Sequence, residues 1–335
     1  MSNGLTNTQL VEYLGLPDDI IDALAVAESS EYVAKTNEFL TALFNKVLYS
    51  RVFSMDFTNP FKKYDSYPIK YGDSIENVFV EIPTGYKYDK DAVDPFTRVN
   101  PKVKALYASI NYEMQYETTI YDSLLRRAAI NEYGFMNLID EILGALSKAV
   151  SIDEYFAQIR LLNNADLYAN GFEEVLKGAN DTETASIVCH KIVDVSSDFT
   201  HPQTVNNKAG VMNVTPIGRQ IIVMKQTLKN SINLDFLTGL FNLNKVGEMP
   251  EIITVKTFQI LNEDEELVGE DLDFVIIDTQ AFDNHVALQD GGMIYNPKGK
   301  YTNHFYNLWK IFAFKTFNNA RAFKLVDTLT EGDGE

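Results

Sequence analysis

The residues able to do chemistry are few and scattered. His190, His201, His285 and His304 stand singly, in no HExxH or His-x3-5-His spacing, and Cys189 beside His190 is too small a cluster for the four-ligand shell that zinc takes. Gly291, Gly292 and Gly299-Lys300 have a glimmer of a phosphate loop. A P-loop, however, needs a glycine where Ile294 stands and Ser or Thr where Tyr301 stands, so a turn around Asn296-Pro297-Lys298-Gly299 is the better reading. The acidic run Asn262-Glu263-Asp264-Glu265-Glu266 puts Leu267 where a calcium loop requires glycine, with Gly269 two residues late. It reads as a solvated loop. No GxGxxG and no GxSxG occurs. Arg126-Arg127 could grip a phosphate, with a salt bridge at the surface or between subunits as the default, and His304, set in an aromatic run, reads as a core histidine rather than a base. No catalytic residue, cofactor site or metal site is expected.

Composition narrows the classes further. The 335 residues carry a net charge of −18, with 45% apolar and 23% charged residues, a globular balance rather than a disordered one. The charge is −5 over 1–50, −6 over 151–200 and −8 over 251–300; only 201–250, at +3, is basic, through Lys208, Arg219, Lys225, Lys229 and Lys245. A protein that reads nucleic acid neutralises phosphates with a basic face, so specific nucleic-acid binding is disfavoured. One cysteine excludes an internal disulfide framework and suits synthesis in a reducing cytoplasm. Met1-Ser2-Asn3-Gly4 shows no secretory signal, no apolar run is long enough to span a membrane, and the acidic end, 330–335, is expected to fray.

The elements that would position anything begin with a helix after Pro17, in which Leu40, Leu43, Phe44, Val47 and Leu48 share a face. A second helical block follows Gly134, with Phe135, Leu138, Ile139, Ile142, Leu146 and Val150 on one side. The pattern resumes through Tyr155, Phe156, Ile159 and Leu162, which predicts a long helix with a break near Ser151. Between these blocks, residues 106–120 alternate without a slip: Leu106, Ala108, Ile110, Tyr112, Met114, Tyr116, Thr118 and Ile120 on one side, polar residues mostly on the other. Period two predicts one half-buried strand of unusual length, about 50 Å at about 3.3 Å per residue. Its expected partner is Val78-Phe79-Val80-Glu81-Ile82, preceded by Tyr67, Ile69 and Tyr71, across a connection with turn signals at Asp94-Pro95 and Asn100-Pro101.

A two-stranded ribbon is marginal alone in water. If it outruns its own domain, Tyr112, Met114 and Tyr116 become an intermolecular surface; the competing reading is a strand crossing a large internal sheet. Beyond 185, strand-like runs at Ile187, Val188, Ile192, Val193 and at Ile221, Ile222, Val223, Met224 precede a short helix over 233–241. Strands over 252–258 and 273–278 follow, and an aromatic stretch over 301–325 reads as one fully buried central strand. The mixture predicts an α+β fold.

Three stretches carry a family resemblance: Asn111-Tyr112-Glu113-Met114 through Arg126-Arg127-Ala128; Gln220-Ile221-Ile222-Val223-Met224 with Asn233-Leu234-Asp235-Phe236-Leu237 and Phe241-Asn242; and Ile294-Tyr295-Asn296-Pro297-Lys298-Gly299 through Asn303-His304-Phe305-Tyr306-Asn307-Leu308-Trp309 to Asn318-Asn319-Ala320. In this order they resemble the Hong Kong 97 (HK97-like) fold of tailed-phage major capsid proteins, in particular the subunits of small short-tailed phages of Gram-positive hosts. The resemblance implies an N-terminal arm (1–60) and an extended β-hairpin loop (61–121). It also implies a peripheral domain with a long spine helix (122–205 and 303–335) and an axial domain (206–302). It implies pentamers and hexamers closing into an icosahedral shell around double-stranded DNA held without sequence-specific contacts, and localisation in the virion after synthesis in the host cytoplasm. Separate scaffolding, portal and decoration proteins are the implied partners, with no membrane and no covalent crosslink. Tyr112, Met114, Tyr116, Asp94, Phe96, Arg126 and Arg127 are the expected assembly contacts. An encapsulin-like nanocompartment shell, and an α+β enzyme or ligand binder, are the alternatives.

Overall fold

The structure, a computed structural model, describes residues 57–69, 74–85, 87, 98–123, 134–232, 249–261 and 266–328. The helix expected around Leu40–Leu48, the helix expected over 233–241, and Asp94, Phe96, Arg126 and Arg127 lie outside the described residues.

The described elements run β1 (Ser74–Val80), β2 (Val103–Ser109), β3 (Tyr112–Tyr121), α1 (Gly134–Leu162), β4 (Phe172–Leu176), α2 (Asp181–Phe199), β5 (Gln220–Lys225) and α3 (Gln226–Ser231). They continue with β6 (Glu251–Val255), β7 (Ile260–Leu261), β8 (Leu267–Val268), β9 (Phe274–Asp278), β10 (Phe282–Asn296), β11 (Tyr301–Phe314) and β12 (Ala320–Val326). The α+β expectation holds. A five-stranded mixed sheet, ordered β4-β12-β9-β5-β6, forms the middle, with β4 parallel to β12, β6 parallel to β5, and β9 antiparallel to both β12 and β5. Ile221, Ile222, Val223 and Met224 on β5 and Val275, Ile276 and Ile277 on β9 are all buried, because both faces of this sheet are covered. On one face lie α2 and α3, through Val188, Cys189, Ile192, Phe199 and Leu228. On the other, Ile159 and Leu162 of α1, with Phe282 and Phe314, join Ile221, Val223, Val275 and Ile277.

The second sheet, β10-β11-β3, is antiparallel, and α1 packs on it. Strands β10 and β11 meet at the turn expected around Asn296-Pro297-Lys298-Gly299, where the Asn296 Oδ1 accepts from the Lys298 and Gly299 amides at 3.0 and 3.1 Å. α1 runs 29 residues without a break at Ser151. Boundaries at 205/206 and 302/303 divide strands that hydrogen-bond to each other: β4 and β12 lie in one sheet with β5, β6 and β9, while β10 pairs with β11.

Three expectations are corrected. The Ile187-Val188-Ile192-Val193 run is helical, inside α2, not a strand. Asn180 caps α2 by accepting from the Glu183 amide at 2.9 Å, while the Glu183 carboxylate accepts from the Ala179 amide at 2.8 Å. The stretch 301–325 is two strands in two sheets, β11 and β12, separated by a turn in which the Asn318 amide donates to the Lys315 carbonyl at 3.0 Å. Residues 106–120 are likewise not one strand: β2 ends at Ser109 and β3 begins at Tyr112. At the switch Asn111 imitates a strand partner, its amide donating to the Phe312 carbonyl at 2.8 Å and its Oδ1 accepting from the Phe312 amide at 2.9 Å.

Candidate assembly surface

β1 and β2 form an antiparallel ribbon in which Val80 faces Val103, Val78 faces Ala105 and Glu76 faces Tyr107. Its two faces differ sharply. The inner face rests on the body: Phe79 stacks on Phe317 at 5.4 Å between centroids, Asn77 donates to the Asp283 carboxylate, and the Lys104 ammonium reaches the Ala209 carbonyl at 2.6 Å. The outer face is apolar and open, with Val78 56%, Val80 58%, Val103 54% and Tyr107 70% exposed, and Ile82 and Val99 continuing it beyond the strands. Alternation explains the difference, since every second side chain of a pleated strand points the same way. A ribbon is therefore present, but Val78–Val80 pair with Val103–Ala105, ahead of the expected 106–120 run, and the ribbon is shorter and stands on its own subunit by one face.

The residues expected on that ribbon fall elsewhere. Tyr112, Met114 and Tyr116 lie on β3, whose partner is β11, in the register Tyr112↔Lys310, Met114↔Leu308 and Tyr116↔Tyr306. The Tyr112 and Tyr116 hydroxyls bond to each other at 3.0 Å, and Tyr116 donates to Asp153 of α1 at 2.9 Å. Burial pushes the Tyr112 phenol up to about 12, and burial together with the Tyr112 and Asp153 contacts raises Tyr116 further. These two tyrosines thus join a sheet to a helix of the same chain. Met114 is the exposed member of the three, and it borders a groove of about 510 Å³ lined by Tyr112, Phe156, Leu161, Arg160 and Phe312.

What holds the ribbon's platform rigid was not visible in the sequence. Lys310, on β11, is fully buried and bonds the Glu154 carboxylate of α1 at 2.7 Å and Asp65 at 2.9 Å; Lys62 closes the square, 2.8 Å from Glu154 and 3.0 Å from Asp65. Burial works against the Asp65 carboxylate, but the Lys310 and Lys62 ammonium groups overcome it and hold Asp65 below the usual range. The square ties 57–69, α1 and β11 together. A second buried carboxylate, Asp278, accepts from Thr215, Asn318, the Gln280 amide and Arg219, fixing the loop after α2 to the turn before β12.

Cys189 is buried and His304 is a core residue, its imidazole pulled down to about 4 by burial. Among the described residues no group of His, Cys, Asp and Glu could hold a metal ion, and no helix is long and apolar enough to cross a membrane.

Over residues 22–324 the sequence matches the model of the Phi29-like phage major capsid protein family. The chain belongs to that family. Among curated relatives, the major capsid protein of Streptococcus phage Cp-1 is 24% identical over 309 residues, covering 88% of this chain and 84% of that one. The major capsid protein of Bacillus phage B103 is 27% identical over 294 residues, covering 86% of this chain and 63% of that one, so this chain spans under two thirds of the Bacillus relative. Among solved structures, the capsid of Staphylococcus phage Andhra superposes with a TM-score of 0.62 at 10% identity, over 82% of this chain and 86% of that one. The capsid of cyanophage P-SCSP1u superposes with a TM-score of 0.56 at 11% identity, over 84% and 94%. At such identities the superpositions show the fold, and it is the HK97-like fold of phage capsid subunits. In this Phi29-like major capsid protein the α1 helix, the β10-β11-β3 sheet and the β1–β2 ribbon are therefore parts of a shell subunit.

Proposed function

We propose that the outer face of the β1–β2 ribbon is the principal contact between neighbouring copies in the shell. One observation carries this: a contiguous apolar strip, Val78, Val80, Val103 and Tyr107, is turned away from a body that already holds the ribbon's other face. Covering these half-exposed side chains contributes on the order of 1 kcal/mol each. That is modest per contact, but every subunit gives one ribbon and receives one, so closure of the lattice multiplies it. Pentamers and hexamers closing into an icosahedral shell around double-stranded DNA are the assembly this reading implies, with scaffolding, portal and decoration supplied by other chains. Synthesis takes place in the host cytoplasm and the mature location is the virion. The net charge of −18 supports an inner wall to which packaged DNA does not adhere. The role is structural and no reaction is assigned. Met114, at the mouth of the groove, and Asp94, Phe96, Arg126 and Arg127 are carried as further contacts of the same interface. Tyr112 and Tyr116 act instead as internal struts.

The test is Val78→Asp with Val103→Asp. The subunit is expected to keep its circular dichroism and melting temperature, since both side chains face solvent, while sedimentation and electron microscopy find no shells. Shells forming at the wild-type subunit concentration would remove the ribbon from the interface.

A further inference from the structure

The ribbon is attached to the body by two unlike kinds of contact. The Phe79–Phe317 stack is apolar and tolerates sliding, because hydrophobic contact has no preferred direction. The Asn77–Asp283 bond does not, because a hydrogen bond weakens steeply off its axis. Asn77 is flanked along β1 by Ile75 and Phe79 and paired across to Leu106, and Lys104, on the Ala209 carbonyl, is the other polar residue of the inner face. An apolar side chain there would serve adhesion as well. A polar contact set among apolar ones selects one arrangement from several, since any displaced one leaves a buried carboxylate short of a donor.

Asp283 is itself fixed from two sides. It is 2% exposed, and its Oδ1 accepts from Lys315 Nζ at 2.9 Å and faces the His285 Nε2 at 3.0 Å. The His285 Nδ1 lies 2.7 Å from the Tyr67 carbonyl, and the two rings meet edge to face at 5.0 Å. Tyr67 belongs to the segment that leads into β1, laid along β10 by the Ser66 amide on the Asn284 carbonyl at 2.8 Å and the Ile69 amide on the Val286 carbonyl at 2.9 Å. Two residues on β10 therefore grip both the approach to the ribbon and the ribbon itself. The two ring nitrogens of His285 thus face the Tyr67 carbonyl and the Asp283 carboxylate, one on each side of the junction.

We propose that Asp283 and His285 are a positioning pair that sets the direction of the β1–β2 ribbon on the body, and thereby whether its outer face meets the next subunit. This rests on the assembly role proposed above. The pair is buried and acts through Asn77 and Tyr67.

The experiment uses the full chain with spin labels at Thr84→Cys, beyond the end of β1, and Thr182→Cys on α2, both exposed, while the native Cys189 is buried. The interlabel distance distribution of the unassembled subunit reports ribbon direction without requiring assembly. Asn77→Asp sets a second carboxylate against Asp283. It is expected to shift or broaden that distribution and to raise the subunit concentration needed for shells by about tenfold or more. Asn77→Asp with Asp283→Asn restores an amide–carboxylate bond across the junction with the partners exchanged, and should recover both the distance and assembly. Asn77→Ala, which removes the donor without adding charge, is expected to broaden the distribution and covers the case in which Asn77→Asp does not fold.

An unchanged distance distribution in Asn77→Asp or Asn77→Ala overturns the positioning role, and so does an exchanged pair no better than Asn77→Asp alone. The two proposals separate cleanly. Val78→Asp with Val103→Asp should abolish shells at an unchanged distance. If those shells form normally, the assembly reading fails, while the distance measurement still decides the positioning claim.

Discussion

Lys310→Met is the sharpest probe of how this subunit is held together. The wild-type square is neutral, with two ammonium groups against the Glu154 and Asp65 carboxylates, and Lys310 and Glu154 are almost wholly buried. Methionine fills nearly the volume of the lysine stem, so packing is conserved and the loss is electrostatic. Removing one member of a buried ion pair costs about 3–5 kcal/mol, because the partner is left charged in a poor solvent. Here Lys62 remains 2.8 Å from Glu154 and is partly open to water, which places the expected loss near the lower figure, about 3 kcal/mol. For a chain of this size that lowers the melting temperature by roughly 4 °C, read by differential scanning calorimetry on the unassembled subunit at pH 7. The acid limb of the stability curve should change as well. Asp65 is held below its unfolded value, so its contribution is present above the unfolded carboxylate range and is lost as pH falls through the lower folded value. With Lys310 gone the folded value rises toward the unfolded one, so the loss on acidification becomes smaller and the acid limb flattens, while its onset, set by the unfolded carboxylate, stays where it was. Lys310→Met with Glu154→Gln removes one charge of each sign and should be less damaging than Lys310→Met alone. A single variant melting within about 1 °C of wild type, or a double variant losing the sum of two single losses, would refute the account.

Two further outcomes follow from local geometry. Asn180→Ala removes the side chain that receives the Glu183 amide at the start of α2 and should cost about 1 kcal/mol, a fall of roughly 1.5 °C in thermal unfolding monitored by circular dichroism. The Cys189 thiol is pushed up to about 11 by burial, so at pH 8 it should react with a thiol-modifying reagent far more slowly than in urea-unfolded chain; equal rates would place it at the surface.

The physical reason for what the sequence concealed lies in how periodicity works. The 106–120 alternation is real, and the inward parity of Lys104, Leu106 and Ala108 on β2 continues as Tyr112, Tyr116 and Ile120 on β3. A period-two pattern records which side of a strand is covered. It does not record what covers it. The chain changes sheets at Asn111 without changing phase, so the ribbon and the interior sheet read as one strand, and the pattern alone extends the ribbon over Tyr112 and Tyr116, which pair with β11. α2 was lost by a related route: Ile187, Val188, Ile192 and Val193 have the composition of a strand, but the buried set Ala185, Val188, Cys189, Ile192, Ser196 and Phe199 has helical spacing. Cys189 and Ser196 diluted that stripe, and the Asn180–Glu183 capping box was the signal that could have restored it. β5, β9 and α1 were legible because each is long or apolar enough for one rule to dominate. The Lys310 square and the Asp283–His285 pair were beyond such rules, since three of the square's four links span 92 to 245 positions and the pair is tied through Asn77, 206 positions away. A lysine in an aromatic strand and an aspartate beside a histidine look unremarkable in one dimension. Their charge becomes informative only when the fold removes water from around them, which is why the groups that hold and aim the ribbon emerge only from the fold, as does its outward strip, whose Tyr107 has the parity opposite to Leu106 and Ala108.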